Sequence, residues 1–424
     1  MKKRKRRVKR KLKLGNIFLA VSLVVLISLV GIYLSKCNPI QKEVLKNNPA
    51  TSQKEKKSKK KVEEKEETYK VSMITAGDNL IHSSVYKDAY LGNNEYDFKP
   101  MYEYIKQLIS NYDIKYYNQE TILGGKELGV SDYPTFNSPQ EAGDAMIDAG
   151  FNLVSLATNH TMDSREKAVL ASREYWDKQT DVLAVGSYSS EEERNKVHVL
   201  EKNNIKYTLL NYTYGTNGMP VPSGKEYLVN VWPTDIDNIN NVEKDTKYQE
   251  YKNQVKKDVD AVRDKVDVLM VAMHWGVEYT HDPTEYEKDM AKYLESIGVD
   301  VIIGTHPHVI QPVTWINDTL VIYSLGNLIS AQYQDANYNK MVGLMTSLDI
   351  EKTVKGKKSK IEIKNVNNEL IYTYYRGWRN FKVVPFSNPE IKNYLPSYKQ
   401  VYETYKSIVQ KYNNDMPVVP LSEE

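Results

Sequence analysis

Short apolar runs typical of β-strands alternate with amphipathic runs typical of α-helices from Val71 to about residue 305. This alternation predicts a layered α/β domain with helices outside the sheets. After that point the pattern becomes antiparallel, with Val313–Ile316 and Leu320–Tyr323 joined across Asn317-Asp318. The predicted fold class is therefore α/β with mixed sheets, and ligands should gather at the carboxyl ends of the strands.

Five of the seven histidines lie at or just beyond the end of a strand-like run: His82, His160, His274, His306 and His308. Asp78, Asn118 and Glu120 also lie at strand ends. Neutral imidazole, carboxylate and amide oxygen together suit Mn, Fe or Zn, and mixed ligands from several strands can hold two ions. The sequence thus predicts a surface-exposed dimetal site, although Asp78 alone would more often be a turn or cap residue after Gly77, and Glu120 alone is equally unspecific.

The strongest local motif is His306-Pro307-His308. Alternation in an extended segment would place both imidazoles on one side, and two neighbouring histidines at a strand end seldom pack a core. Asn159 precedes His160 in a predicted loop, where Asp163 is near enough to hold the imidazole tautomer. The two remaining histidines, His198 and His281, are predicted to be structural, exposed or loop residues.

The N-terminus differs from the rest of the chain. Residues 2–13 contain ten Lys or Arg, and residues 17–34 then run without a charge. A basic flank before about 18–20 apolar residues is typical of a membrane-spanning helix with a cytoplasmic N-terminus. A cleaved signal peptide and a lipoprotein site at Cys37 are the alternatives, but no small-x-small motif follows the apolar run and Lys36 precedes the cysteine.

The charge is divided unevenly along the chain. The first 70 residues carry a net charge of +15 and the whole chain carries +3, so residues 71–424 carry −12. An acidic body argues against a nucleic-acid partner.

Cys37 is the only cysteine, so the body must fold without an intrachain disulfide.

These patterns predict five segments. They are a basic cytoplasmic segment (1–15), a transmembrane anchor (16–36), a flexible charged linker (37–70), an extracellular domain (71–350) and a C-terminal extension that packs on it (351–424). The predicted localisation is the cell membrane, with a single pass and the main domain outside the cell.

Seven motifs in this order resemble the CapA family of poly-γ-glutamate capsule biosynthesis proteins over about residues 71–330. They are Asp78 with His82, Asn118-Gln119-Glu120-Thr121, Asn137-Ser138-Pro139, Ala157-Thr158-Asn159-His160 with Asp163, His274-Trp275-Gly276-x-Glu278-Tyr279, Gly304-Thr305-His306-Pro307-His308-Val309-x-Gln311 and Tyr323-Ser324-Leu325-Gly326-Asn327. The resemblance implies a fold like the calcineurin-type metallophosphoesterases, an α/β/β/α sandwich with mixed sheets behind one N-terminal transmembrane helix.

The resemblance also implies a set of metal ligands. One ion would be held by Asp78 and His308, the other by Asn159, His274 and His306, with Glu120 between them. His160 would act as a general acid or charge stabiliser, with Asp163 as its partner. His82 is a further candidate metal ligand, although such enzymes usually have Asp-x-His and generally use Asp where this chain has Glu120.

The expected function is that of a membrane-anchored extracellular protein in capsule, poly-γ-glutamate or related envelope polymer biosynthesis. Its metal site would hydrolyse a phosphoester or, as the less favoured substrate, an amide of an envelope polymer. The alternative is a non-catalytic subunit of a synthase or export complex that binds the polymer or partner subunits. The expected partners are the membrane, such subunits and the polymer or phosphoester substrate, with no nucleic acid.

Overall fold

A computed structural model of the protein describes residues 65–231, 246–332 and 338–422. The predicted cytoplasmic segment, the membrane anchor and nearly all of the predicted linker lie outside these residues. In the described ranges, no helix is both long enough and apolar enough to cross a membrane. The described residues belong to one compact unit, Glu64–Glu424.

The described residues contain sixteen β-strands and nine α-helices. The strands are β1 (Glu66–Asn79), β2 (Tyr90–Gly92), β3 (Glu95–Tyr96), β4 (Ile114–Gln119), β5 (Leu153–Ser155), β6 (Leu183–Val185), β7 (Leu200–Lys202), β8 (Ile205–Thr213), β9 (Val268–His274), β10 (Val301–Thr305), β11 (Val313–Ile316), β12 (Thr319–Ile322), β13 (Asn327–Ile329), β14 (Val342–Lys355), β15 (Lys358–Arg376) and β16 (Arg379–Pro385). The helices are α1 (Ser83–Ala89), α2 (Glu103–Ile109), α3 (Glu141–Ala149), α4 (Arg165–Asp177), α5 (Glu191–Asn195), α6 (Thr246–Val262), α7 (Glu285–Ser296), α8 (Ile391–Tyr394) and α9 (Tyr398–Val409).

Most strands form two mixed sheets, which confirms the predicted mixed α/β class. The first sheet has the order β16-β15-β14-β1-β4-β5-β6, with β13 beside β1, and the second has the order β11-β12-β10-β9-β8-β7. Strands β1, β4, β5 and β6 are parallel, as are β8, β9, β10 and β12. Antiparallel strands continue the first sheet beyond β1 and close both edges of the second.

Strand β9 shows why the layers form. Its residues Val268, Met270 and Ala272 belong to the apolar core that both sheets share, whereas the alternate residues belong to a core that the second sheet forms with α6 and α7. Successive side chains of a strand point to opposite faces, so a continuous apolar run suits a strand buried on both sides. A third core joins the first sheet to α2 and α3, which gives the layer order helix, sheet, sheet, helix.

Two predicted segment limits fall inside strands. Strand β1 begins at Glu66, within the range predicted as linker, and its first residues pair with the far end of β14. Strand β14 runs through residue 350, where the main domain was predicted to end. The residues after 350 therefore continue the first sheet through β15 and β16. Strands β7 and β8 form an antiparallel hairpin across Asn203-Asn204.

Two glycines allow unusually close backbone approach near the strand ends. A Cβ atom on Gly77 would lie 1.8 Å from the carbonyl oxygen of Gly326, and one on Gly304 would lie 1.8 Å from that of Tyr323. Neither glycine has a positive φ angle, so space and not backbone conformation requires the absence of a side chain. These contacts pack β1 and β10 against the same segment, residues 323–326, next to Asp78 and His306 of the candidate site.

We expect Gly304→Ala to lower the free energy of unfolding by about 1–3 kcal/mol, because the new methyl group meets a backbone carbonyl that cannot rotate away. The control is Gly215→Ala, since a Cβ there would meet no atom within 4 Å. Denaturant unfolding of both variants measures the difference. Equal stability of the two variants would contradict the close-approach argument.

Candidate functional site

The candidate site lies where parallel strands of both sheets end. Asp78 is the penultimate residue of β1, and Glu120 directly follows β4. In the second sheet His274 is the last residue of β9, and His306 and His308 follow β10. Parallel strands deliver their carboxyl ends to one edge, so residues far apart in the chain meet there.

The Asp78 carboxylate connects the two sheets. Asn118 in β4 donates from Nδ2 to Asp78 Oδ1 at 2.8 Å, and the backbone N–H of His306 donates to Asp78 Oδ2 at 3.2 Å. Ser155 in β5 donates to Asn118 Oδ1 at 2.6 Å, which fixes the orientation of the amide. Asp78 is fully buried, so these hydrogen bonds offset the loss of hydration of its charge.

Glu120 is buried in a different way. Its two carboxylate oxygens have no hydrogen-bond partner in the described part of the chain. Oε1 faces His308 Nε2 at 3.6 Å and His274 Nε2 at 3.9 Å. Glu120, His306 and His308 each offer a ligand atom within 4.8 Å of the others, and His306 Nδ1 is likewise buried without a partner among the described residues. Orphaned carboxylate and imidazole atoms that converge in this way fit a divalent cation.

Burial sets the protonation of these groups. It raises the pKa of Glu120 well above its usual value and lowers the pKa of His274 and His306 well below theirs, so both imidazoles are neutral as metal ligands require. Burial also opposes the charged form of His308, but Glu120 and Asp78 outweigh it and raise the pKa of His308 to about 9. In the absence of a cation, a proton on His308 therefore takes the place of the cation beside the buried carboxylates.

A second group of side chains adjoins the cluster. Asn159 Oδ1 lies 3.0 Å from His274 Nε2. The Nδ1 atom of His160 lies 2.7 Å from Asp163 Oδ2, which also accepts the N–H of Phe136 at 2.7 Å. Asp163 thus orients the imidazole, with Nε2 as the ring nitrogen that could act on a substrate.

His82 lies in a different environment from the cluster. Its Nδ1 accepts the N–H of Ala331 at 3.2 Å, and its ring packs edge-on against Phe136, with centroids 5.3 Å apart. Phe136 packs in the same manner on His160 at 4.7 Å. Burial lowers the pKa of His82 to about 4. The group formed by Glu120, His306 and His308 does not include His82, so its role as a ligand stays a prediction.

The structure corrects the predicted surface exposure of the site. The other six predicted ligands are at most 2% exposed: Asp78, Glu120, Asn159, His274, His306 and His308. The ligand side chains converge below the surface because the two sheets and the loops that follow their strands enclose them. Strand ends alone do not reveal this enclosure.

Two residues of the loop after β8 also reach the site, although the motifs did not identify them. The ring of Tyr214 lies 4.5 Å from that of His306, and Asn159 Nδ2 donates to Asn217 Oδ1 at 3.3 Å. The glycine-containing stretch that bears them, residues 214–218, directly follows β8. The strand-end rule that selected the histidines could therefore have found it.

The fold and the site define a two-sheet α/β protein with a candidate divalent-metal site at the carboxyl ends of parallel strands. Sequence comparison identifies the family within this class. The chain belongs to the bacterial capsule synthesis protein family PGA_cap, whose profile matches residues 72–332. This match confirms the resemblance to CapA proteins predicted from the motifs.

Two curated relatives bear related names. The chain is 26% identical over 194 residues to the PGA biosynthesis protein CapA of Bacillus subtilis (strain 168), covering 46% of each chain. It is 23% identical over 268 residues to the capsule biosynthesis protein CapA of Bacillus anthracis, covering 63% of this chain and 61% of that one. The chain thus spans about half to three-fifths of the length of these relatives.

A solved structure is similar at a lower level. The 5'-nucleotidase from Candida albicans SC5314 aligns with a TM-score of 0.35 and 10% sequence identity, covering 65% of this chain and 47% of that one. At that TM-score the likeness adds nothing to the fold described above.

The raised pKa of His308 predicts how stability depends on pH without metal. Protonated His308 stabilises the fold fully below its ordinary pKa of 6.5, and this stabilisation is lost as the pH rises through about 9. In EDTA, the free energy of unfolding should therefore fall by up to about 3 kcal/mol between pH 6.5 and 9.5. Glu120→Gln should flatten this dependence, because it removes the carboxylate that raises the pKa of His308 most.

Denaturant unfolding at several pH values in EDTA measures this effect. Glu285→Gln is the control, because Glu285 is an exposed carboxylate at the start of α7. It should keep the dependence of the unchanged chain. If Glu120→Gln keeps the pH dependence of the unchanged chain, Glu120 does not raise the pKa of His308.

Proposed function

We propose that this protein is a membrane-anchored component of capsule or related envelope polymer biosynthesis that carries a divalent-metal hydrolase site outside the cell. The observation that carries the proposal is the Glu120 carboxylate, fully buried with two unpartnered oxygens among three imidazoles. A protein interior tolerates such a group when a cation or a proton neutralises it. Family membership and the names of the relatives support the biological process.

The donor atoms suit two ions of the Mn, Fe or Zn type. Asp78, Glu120 and His308 would hold one ion, and Asn159, His274 and His306 would hold the other with Glu120 between them. Bound ions of this kind polarise a phosphoryl or carbonyl oxygen and generate hydroxide near neutral pH. The calcineurin-type sandwich implied by the motifs is compatible with the layer order of the fold.

His160 is the proposed general acid. Its Nδ1 is held by Asp163 at 2.7 Å, so a proton on Nε2 could pass to the leaving oxygen of a phosphoester. His160 is nearly buried, and the edge of its ring packs on Phe136. The pair is therefore ordered before substrate arrives, as an efficient proton donor requires.

The substrate proposed is a phosphoester of an envelope polymer or its precursor, with an amide as the less favoured class. The names of the Bacillus relatives connect those proteins with capsule and PGA biosynthesis. Membrane attachment through residues 16–36 would keep the site at the outer face of the cell membrane, near synthase or export subunits. This localisation rests on the sequence pattern of the N-terminus.

A second candidate is a non-catalytic subunit that binds the polymer or partner subunits of a synthase or export complex. The position of His82 favours it, because that ring is held by Ala331 and Phe136 and lies outside the cluster of convergent ligand atoms. A reduced ligand set can retain a structural ion without catalysing turnover. Metal binding and turnover therefore need to be measured on the same samples.

We expect the full-length chain to bind divalent metal and to hydrolyse a phosphomonoester or phosphodiester, and His306→Ala to lose both properties. The matched control is His198→Ala, because His198 pairs with Glu193 outside the site and should tolerate the change. Elemental analysis and a panel of chromogenic esters measure the two properties. Metal without turnover would support the binding subunit, and a chain that takes up no Mn, Fe or Zn would refute the metal site.

His160→Ala should lower kcat by about 10²–10⁴ and leave metal content unchanged, because a general acid acts on the leaving group and not on the ions. Residual metal-dependent turnover should remain. The measurement is kcat with a poor and a good leaving group, since the loss should be smaller for the good one. An equal loss with both would assign His160 a role other than proton donation.

A further inference from the structure

The carboxylate of Glu278 approaches the metal cluster from the solvent side. Its Oε1 lies 3.9 Å from Nε2 of His308, the same nitrogen that faces Glu120 Oε1 at 3.6 Å. Glu278 is 43% exposed, whereas the Glu120 side chain is fully buried. The Tyr279 side chain hydrogen-bonds to this carboxylate. On its other side Glu278 faces the ring nitrogen of His308, where it could reach a bound ion.

The backbone that carries Glu278 is folded to place it there. Gly276 and Tyr279 have φ angles of +84° and +64°, and a residue other than glycine rarely adopts such an angle. The N–H of Tyr279 donates to the carbonyl oxygen of Pro307 at 2.8 Å, between the two histidines. The turn after β9 is thereby tied to the segment after β10. A left-handed residue such as Tyr279 is strained, and this hydrogen bond helps to offset the strain.

His308 Nε2 is close enough to each of the two carboxylates to share an ion with it. The atoms that all lie within 4.8 Å of one another belong to Glu120, His306 and His308, so Glu278 would turn inward when the ion binds. Two donor atoms that each lie about 2.0–2.2 Å from one cation can be at most about 4.4 Å apart. His308 Nε2 satisfies this limit with Glu278 Oε1 and also with Glu120 Oε1. Both oxygens of Asp78 already accept hydrogen bonds, from Asn118 and from the His306 N–H, so an ion at this position has reason to recruit a further carboxylate.

We infer that Glu278 is a ligand of the ion bound by His308 and Glu120, an inference that rests on the metal site proposed above. The ion would then lie between buried ligands on the protein side and one carboxylate on the solvent side. Because Glu278 is half exposed, it is also the ligand that an incoming anionic group can most easily displace.

The assignment changes the charge of the site. Asp78, Glu120 and Glu278 together neutralise three of the four positive charges that two divalent ions carry. The loaded site would keep one net positive charge, enough to attract an anionic ester in a body whose net charge is −12. Without Glu278 the second positive charge would also remain, so Glu278 tempers the affinity of the site for anions.

The test is Mn²⁺ binding to the full-length chain, measured by isothermal titration calorimetry. We expect Glu278→Gln to weaken at least one Mn²⁺ site by about ten-fold or more, because the variant loses an anionic ligand. Glu285→Gln is the matched control, a more exposed carboxylate nearby in the chain that pairs with Lys288. Glu278→His, which restores a neutral ligand, should bind Mn²⁺ more tightly than Glu278→Gln.

The outcomes separate this inference from the proposed function. If the unchanged chain binds Mn²⁺ and Glu278→Gln gives the same isotherm, Glu278 is not a ligand, while the proposed metal site stands. If the unchanged chain binds no Mn²⁺, Zn²⁺ or Fe²⁺, the proposed function fails first. Both variants should unfold cooperatively in EDTA, which shows that a loss of Mn²⁺ binding does not come from a loss of the fold.

Discussion

The candidate site depends on one carboxylate that holds two sheets together at their carboxyl ends. Asp78 belongs to the first sheet, yet one of its oxygens accepts the backbone N–H of His306, which follows a strand of the second. Loss of that contact would leave a buried charge partly unpaired, which is far more costly than the loss of an exposed hydrogen bond. The absence of side chains at Gly77 and Gly304 lets the adjoining segments approach closely enough for it to form.

Local sequence was sufficient to locate most of the site residues along the chain. Strand β9 ends at His274 and β4 ends at Gln119, directly before Glu120, as the strand-end positions of these residues in the sequence predict. These ends are easy to recognise because buried parallel strands are almost uniformly apolar and the first polar residue marks the sheet edge. Strand ends therefore identified Glu120, His274 and the histidine pair.

Residues whose placement depends on distant pairing or on loop conformation were harder to predict. The charged start of β1 resembles a linker, and it is a strand because β14 pairs with it, not because it buries apolar surface. His82 is only a few residues from Asp78 in the chain, but it lies past the end of β1 and directly before α1, where its direction no longer follows strand alternation. Glu278 reaches the cluster through a turn that contains two positive φ angles, and local sequence periodicity does not encode such a turn.

The acidity of the body does not discriminate between a small ester and a polyanion as the ligand of the proposed site. At physiological ionic strength the Debye length is about 8 Å, so exposed carboxylates beyond that distance contribute little at the mouth of the site. Buried groups are screened much less, and in the cluster they include one carboxylate, Glu120, with no donor of its own among the described residues. The local balance between these carboxylates and bound cations, and not the net charge of −12, is what an anionic substrate would meet. In the proposed hydrolase, discrimination between short and long anionic substrates would come from the loops beside the cluster, such as those that carry Asn217 and Tyr279, because the metal ligands would meet only the reacting group.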